Sequence, residues 1–516
     1  MLRKRLVLAL GLASTLVWCA HASLLTLETE LLPADAALVD ELGYAVSVRN
    51  DAVVVGAHLD DDKGLSSGSA YVFRLVSGTW VEEAKLTASD GAPQDDFGAA
   101  VAIDGDVIVV GSNQEDRPGL INAGAAYVFR RTSGSWIQET KLVASDAAQS
   151  DRFGAAVAIS GDTIAVSAFG DDALRGAVYV FRYTAATWAE EAKLVASDGV
   201  AGDVLAAVAI DGDTVVAGAP FTKDLGLETG STYVFRRTGI TWAEEAKLIR
   251  LDPGPSDRFG GSVAVSGDTL LVGAYLDDHP GLSNAGSVYV FSRTGATWSQ
   301  EAKLSAVDKS SNDQFGGAVG LSGDLAVIGA QLADPRGVSN AGAAYVFLRT
   351  ETTWTQETKL VAGDAAPGDR LGWALQTSGF RVVAGAPHLG SATHTGSACV
   401  FDLVVEVTLD IKPGTFPNTV NPQSKGVIPV AVLTTGDFDA QSVDPGTVRF
   451  GPDGAAEAHS MGHLEDVDGD GDLDLLLHFR VADTGIEPGD TEATLTGTTF
   501  DGKPLQGTDT LVTTPY

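Results

Sequence analysis

Cysteine is nearly absent: the 516 residues hold Cys19 and Cys399 alone. Cys19 lies in a segment expected to be removed, which leaves one thiol and excludes an intrachain disulfide. Stability must come from packing and closure of the fold, with bound metal as a further resource. Long apolar runs are also scarce. Leu6–Trp18, preceded by Arg3, Lys4 and Arg5 and followed by Ala20-His21-Ala22, reads as a cleaved secretory signal over residues 1–22. No later stretch approaches the roughly 20 apolar residues of a membrane helix, so no membrane insertion is expected. Basic charge is in deficit, with 34 Lys and Arg against 68 Asp and Glu and a net charge of −34. Such a field repels nucleic acid and anionic lipid, and it attracts cations.

Catalytic motifs are missing too. There is no GxSxG, HExxH or phosphate loop. The eight histidines comprise His21 in the signal, then His58, His279, His388 and His394 in or near loops, and His459, His463 and His478 beside an acidic loop. His459 and His463 stand four apart, a spacing without fixed geometry in a loop, and read as a solvated turn.

What the chain has is a repeat. Its clearest copy runs from Phe97 to Arg152, and copies start at Leu42, Phe97, Phe153, Val204, Phe259, Phe315 and Leu371, 51 to 56 residues apart. Within each, runs such as AVAI, VIVVG, AYVFR and WIQETKL are β-branched or aromatic and bounded by turn residues. Four strands per period of about 50 residues is the pattern of a β-propeller blade, and a lone four-stranded sheet cannot bury both faces. The fold class is therefore all-β, a seven-bladed propeller over 24–403.

Six copies carry a fourth strand with its Trp, at Trp80, Trp136, Trp188, Trp242, Trp298 and Trp354, while the seventh stops at Cys399–Leu403. Glu28–Gly43 aligns without a gap on Glu83–Gly98, so the N-terminal strand is expected to complete the last blade and remove an exposed sheet edge.

Every junction between copies holds two Asp with four residues between them, from Asp35 and Asp40 to Asp364 and Asp369. A carboxylate clamping its turn is the leading reading for both. Further acid follows the second strands and puts one strongly negative face on the ring. Loops that depart from the repeat are candidate ligand contacts: Asp60, Asp61 and Asp62, and the segment Pro220–Glu228 with Lys223 and Asp224.

FG at the strand start, with Gly56-Ala57-His58, Gly218-Ala219-Pro220 and Gly385-Ala386-Pro387 after the second strand, resembles the FG-GAP repeat of integrin α-subunit propellers in a bacterial secreted form. The resemblance implies a seven-bladed disc that mediates extracellular contacts. Calcium in the first-to-second loop, as in integrins, is not expected, because that connection is a tight DGD or SGD turn.

After Leu403 the period is lost, and 404–516 reads as a small C-terminal β-sandwich domain. It holds Asp466, Asp468, Asp470, Asp472 and Asp474 in nine residues. Positions 1, 3, 5 and 9 supply carboxylates, Gly471 sits at the sharp turn, and Asp472 can offer its carbonyl, a donor set for calcium. Position 12 is Leu477 rather than a bidentate Glu. Together these features point to a secreted, periplasmic or cell-surface binding or adhesion scaffold for an extracellular protein or polysaccharide, with a calcium-stabilised C-terminal domain. A glycan-active lyase or hydrolase and a structural surface-layer component are the alternatives.

Overall fold

The computed structural model describes residues 24–224, 227–390, 394–459 and 461–514. The signal peptide expected over 1–22 lies outside them. The described chain forms two compact units, one over Thr26–Leu403 and one containing Val404–Tyr516.

The first unit is a ring of seven four-stranded antiparallel sheets. Blade 1 comprises Ala45–Arg49, Ala52–Ala57, Ser69–Val76 and Thr79–Leu86, and blade 2 comprises Phe97–Asp104, Val107–Ser112, Ala125–Thr132 and Ser135–Leu142. In the seventh blade Leu375–Ser378, Arg381–Ala386 and Ser397–Glu406 are joined by Leu24–Leu31, which pairs with the third of them. The N-terminal strand closes the ring, and the innermost strand of blade 1 touches those of both blade 2 and blade 7.

Adjacent blades share their cores. Val54 and Val72 of blade 1 pack with Phe97, Val101, Ile108, Val110 and Tyr127 of blade 2, all essentially removed from water. Burial of each such side chain is worth about 2 kcal/mol. Phe97 and Tyr127 meet edge-on at 5.5 Å, and the pair recurs as Phe153–Tyr179, Phe259–Tyr289 and Phe315–Tyr345.

Two glycines account for the FG and GAP signatures. Gly98 has φ +95°, where side chains are disfavoured, and a Cβ there would collide with the Ser69 carbonyl of the preceding blade. A Cβ on Gly56 would collide with the Gly98 carbonyl. Each GAP glycine thus seats the FG glycine of the next blade.

Blade 4 corrects one boundary. The buried anchor there is Leu205, whose N–H donates to Arg175 O as Phe153 N–H donates to Ala123 O; Val204 instead takes the φ +59° position held by Arg152 in blade 3. This copy lacks one residue between the anchor and its first strand, which shifts an alignment made on AVAI by one.

The second unit is a two-sheet sandwich. One sheet orders Leu409–Ile411, Val427–Val432, Asp474–Arg480 and His463–Glu465; the other pairs Glu492–Thr498 with Pro504–Thr510 and Arg449–Phe450. Between them lies a core that includes Val430, Val432, Leu475, Leu477, Phe479, Phe450, Leu495 and Leu505.

Candidate functional site

The paired aspartates divide their work. The second of each pair sits in its turn: Asp95 Oδ2 accepts the Ala92 N–H at 2.7 Å, and the same i−3 clamp is made by Asp40, Asp151, Asp203, Asp313 and Asp369. Burial pushes Asp95 above the usual carboxylate range despite that bond. Blade 5 differs, because the buried Arg250 binds both Asp257 and Asp277.

In six of the seven pairs the first Asp belongs to a lock that alignment alone does not reveal. Asp90 receives Lys141 Nζ at 2.8 Å and the Tyr127 hydroxyl at 2.9 Å, and the ammonium also lies 2.6 Å from Glu115 and 5.2 Å from the Tyr127 ring centroid. Burial opposes ionisation of Asp90, but the Lys141 and Tyr127 hydrogen bonds hold it below its usual value. Blades 1 to 6 all have the lysine–aspartate pair, at 2.7 to 2.9 Å, through Lys85, Lys141, Lys193, Lys247, Lys303 and Lys359. The lock ties the third and fourth strands of a blade to the junction that leads into it.

Blade 7 breaks the pattern at both positions. Cys399 stands where the other blades have Tyr, and Glu30 stands where they have Lys. The result is a cavity of about 370 Å³ lined by Glu30, Asp364, Asp369, His388, His394 and Ser397, among others. His388 Nδ1 lies 2.8 Å from Asp369 Oδ1, and the His388 and His394 rings stack at 3.9 Å. Desolvation and the neighbouring Asp364 push the Glu30 carboxyl up, against the hydrogen bond from Ser397. Burial, then the charges of Glu28, Glu30 and Asp364, raises the Cys399 thiol. The cavity thus gathers three carboxylates and two imidazoles at a junction that has no lysine. The signal that could have found it is in the sequence: the only copy without Tyr in its third strand is also the copy whose fourth strand has no Lys.

The contact loops expected from sequence fare differently. Asp60 is buried and bound by Tyr71 and Lys85, and Asp62 lies 2.6 Å from Lys85, so both belong to the blade 1 lock. Asp61 is exposed and accepts the Ser66 N–H. Lys223 is exposed at the open end of a short hairpin, where it pairs with Glu228 and lies 3.5 Å from its carboxylate, and Asp224 pairs through its backbone with Leu227.

The central channel is a poor place for acid–base chemistry. Its cavity of about 240 Å³ is walled by Val, Ala, Ile, Leu and Gly of the inner strands, with Gln376 and Thr377 as the polar members. The turn residues at one end link blade to blade: Asp104 accepts the Gly161 N–H at 2.7 Å, Ser160 that of Gly212, and Asp211 that of Gly267.

In the C-terminal unit, carboxylate oxygens of Asp466, Asp468 and Asp470 all lie within 4.8 Å of one another. Asp466 accepts the Gly469 N–H, Asp468 that of Asp470, and Asp470 that of Asp472, which holds the loop wound, with Gly471 at φ +101°. Asp472 Oδ1 is enclosed and has no hydrogen-bond partner. Desolvation and its contact with Asp470 push the Asp472 carboxyl up to about 6. Asp474 is fully buried, with one oxygen on Thr434 N–H and the other on Val467 N–H, so it anchors the loop to the sheet. These groups suit a hard cation: several oxygens converge, and like charges held this close repel one another.

A ring of seven four-stranded sheets with a glycine-seated junction defines a β-propeller of repeated blades. The sequence matches the FG-GAP repeat family over residues 25–73, 80–129, 136–181, 188–235, 242–291, 298–347 and 354–401. The chain belongs to that family. No curated protein matches it significantly. Among solved structures, the Pseudomonas aeruginosa periplasmic gluconolactonase PpgL is similar at 16% identity, covering 62% of this chain and 86% of that one with a TM-score of 0.42. No helix among the described residues is long and apolar enough to cross a membrane.

Proposed function

We propose that the protein is an extracellular binding scaffold, an FG-GAP propeller that contacts a polysaccharide or a protein through the cavity of blade 7, with a calcium-stabilised C-terminal domain. The observation that supports this is the exchange of Lys for Glu30 and Tyr for Cys399 in a single blade. Six blades spend their carboxylates on an internal ammonium, and the seventh leaves them facing a cavity. Carboxylates and imidazoles accept hydrogen bonds from sugar hydroxyls or from the ammonium groups of a protein surface, as polar groups in binding pockets do. The acidic composition and the signal-like N-terminus support a place outside the cell.

The test is a glycan array and a protein-binding screen on the wild type and on Glu30→Lys, a change that restores the residue of the other six blades. Binding that is selective in the wild type and lost in Glu30→Lys is the expected result. An identical profile for the two proteins would remove the cavity from the function. Release of unsaturated or reducing sugar, lost in His388→Ala, would favour the glycan-active alternative, for which the His388–Asp369 pair is the supporting feature.

A further inference from the structure

Three histidines from three neighbouring segments, His459, His463 and His478, converge in the C-terminal unit. His463 opens the edge strand His463–Glu465, which pairs with Asp474–Arg480 so that His463 faces Leu476 two residues from His478. His459 lies on the segment that crosses the same strand, where Ala458 N–H donates to His478 O. One ring nitrogen from each histidine lies within 4.8 Å of the others. The His478 ring stands 5.4 Å from that of His459 and 6.0 Å from that of His463, steeply inclined to both. The spacing of His459 and His463 alone suggested a solvated turn; the third member comes from strand pairing.

Two further observations point to a ligand. His478 Nδ1 is enclosed and has no hydrogen-bond partner, a costly arrangement for a ring nitrogen. The buried Glu457 accepts N–H bonds from both His459 and His478, and its carboxylate lies 3.5 Å from His459 Nδ1. It fixes the two segments that carry the rings through their backbone.

We propose that His459, His463 and His478 form a site for a nitrogen-preferring divalent transition metal of the zinc class. Three imidazoles are soft enough to select zinc, nickel or copper over calcium, and they leave a fourth position open to solvent. Tetrahedral coordination with bonds of about 2.1 Å places ligand nitrogens roughly 3.4 Å apart. The exposed His459 and His463 side chains have the freedom to close in to that separation. This site is separate from the acidic loop in donor chemistry, so the two ions can be told apart.

The experiment is equilibrium dialysis of the full chain, stripped by chelator, against zinc in the presence of excess calcium, followed by cobalt substitution with visible spectroscopy. The wild type is expected to take up zinc and to give the intense cobalt absorption of a tetrahedral nitrogen site. The double variant His459→Ala, His463→Ala should bind zinc more than about tenfold more weakly, with an unchanged circular dichroism spectrum because both side chains are exposed. His459→Gln alone should move affinity in the same direction. A triple variant Asp466→Asn, Asp468→Asn, Asp470→Asn should keep the zinc. Absence of zinc uptake by the wild type, or uptake undiminished in the histidine variants, would overturn the proposal.

Discussion

Lys141 Nζ lies 2.6 Å from Glu115 and 2.8 Å from Asp90, which makes one ammonium the counter-charge of a buried and a half-exposed carboxylate at once. Replacing Lys141 by Met keeps the aliphatic stem and removes the charge. The buried Glu115 then has no cation, the more costly half of the loss, since the exposed pair contributes little by itself. A destabilisation of about 2 kcal/mol is expected, read as a fall in the urea midpoint. An unchanged midpoint would mean that the lock is decorative.

The same lock sets an alkaline limit. Burial alone would lower Lys141, but Asp90 and Glu115 hold it above its usual value; burial, then Asp90, raises Tyr127. Tyr289 is pushed up to about 12, by burial first. A folded pKa above the unfolded one contributes stability that is complete below the unfolded value and drains as pH rises toward the folded one. Melting temperature should therefore hold to about pH 9.5 and fall steeply above about pH 10, where free tyrosine and lysine titrate. Calorimetry between pH 7 and 11 checks this, and a decline that begins at pH 8 would contradict it.

Gly98→Ala tests the seating of one blade on the next. The added methyl meets the Ser69 carbonyl and the backbone must leave φ +95°, so both sterics and conformation oppose it. The expected cost is about 2 kcal/mol or more. Gly105→Ala, in a turn with open space, should cost no more than about 1 kcal/mol through its φ of +57° alone. Equal effects of the two changes in thermal melts would refute the packing explanation.

Calcium should raise the melting temperature of the C-terminal unit, and chelator should lower it. Asp466→Asn, Asp468→Asn and Asp470→Asn together should abolish the difference, because three of the convergent oxygen donors lose their charge. A melt insensitive to calcium in the wild type would rule out the metal loop.

Much of the fold was legible because repetition amplifies weak local signals. The AYVFR and WIQETKL runs recur often enough to fix four strands per unit, and the missing Trp strand of the last copy pointed to Leu24–Leu31 as its replacement. The site was less legible. Tyr127, Lys141 and Asp90 come from three segments, and no spacing rule joins them before the strands pair. Asp474 looked like a fifth cation ligand by position, whereas its burial and two backbone partners come from the sheet that follows it. The spacing of His459 and His463 does not extend to His478 for the same reason: strand pairing brings the three rings together.

Hydrogen exchange of the Leu24–Leu31 strand tests closure of the ring most directly. Paired to Ser397–Glu406, the amides of Thr26–Leu31 that face that strand should exchange on the timescale of the fourth strands of blades 1 to 6, such as Thr79–Leu86. Exchange within seconds at neutral pH, while Thr79–Leu86 stays protected, would show an open seventh blade and contradict both the latch and the cavity built on Glu30.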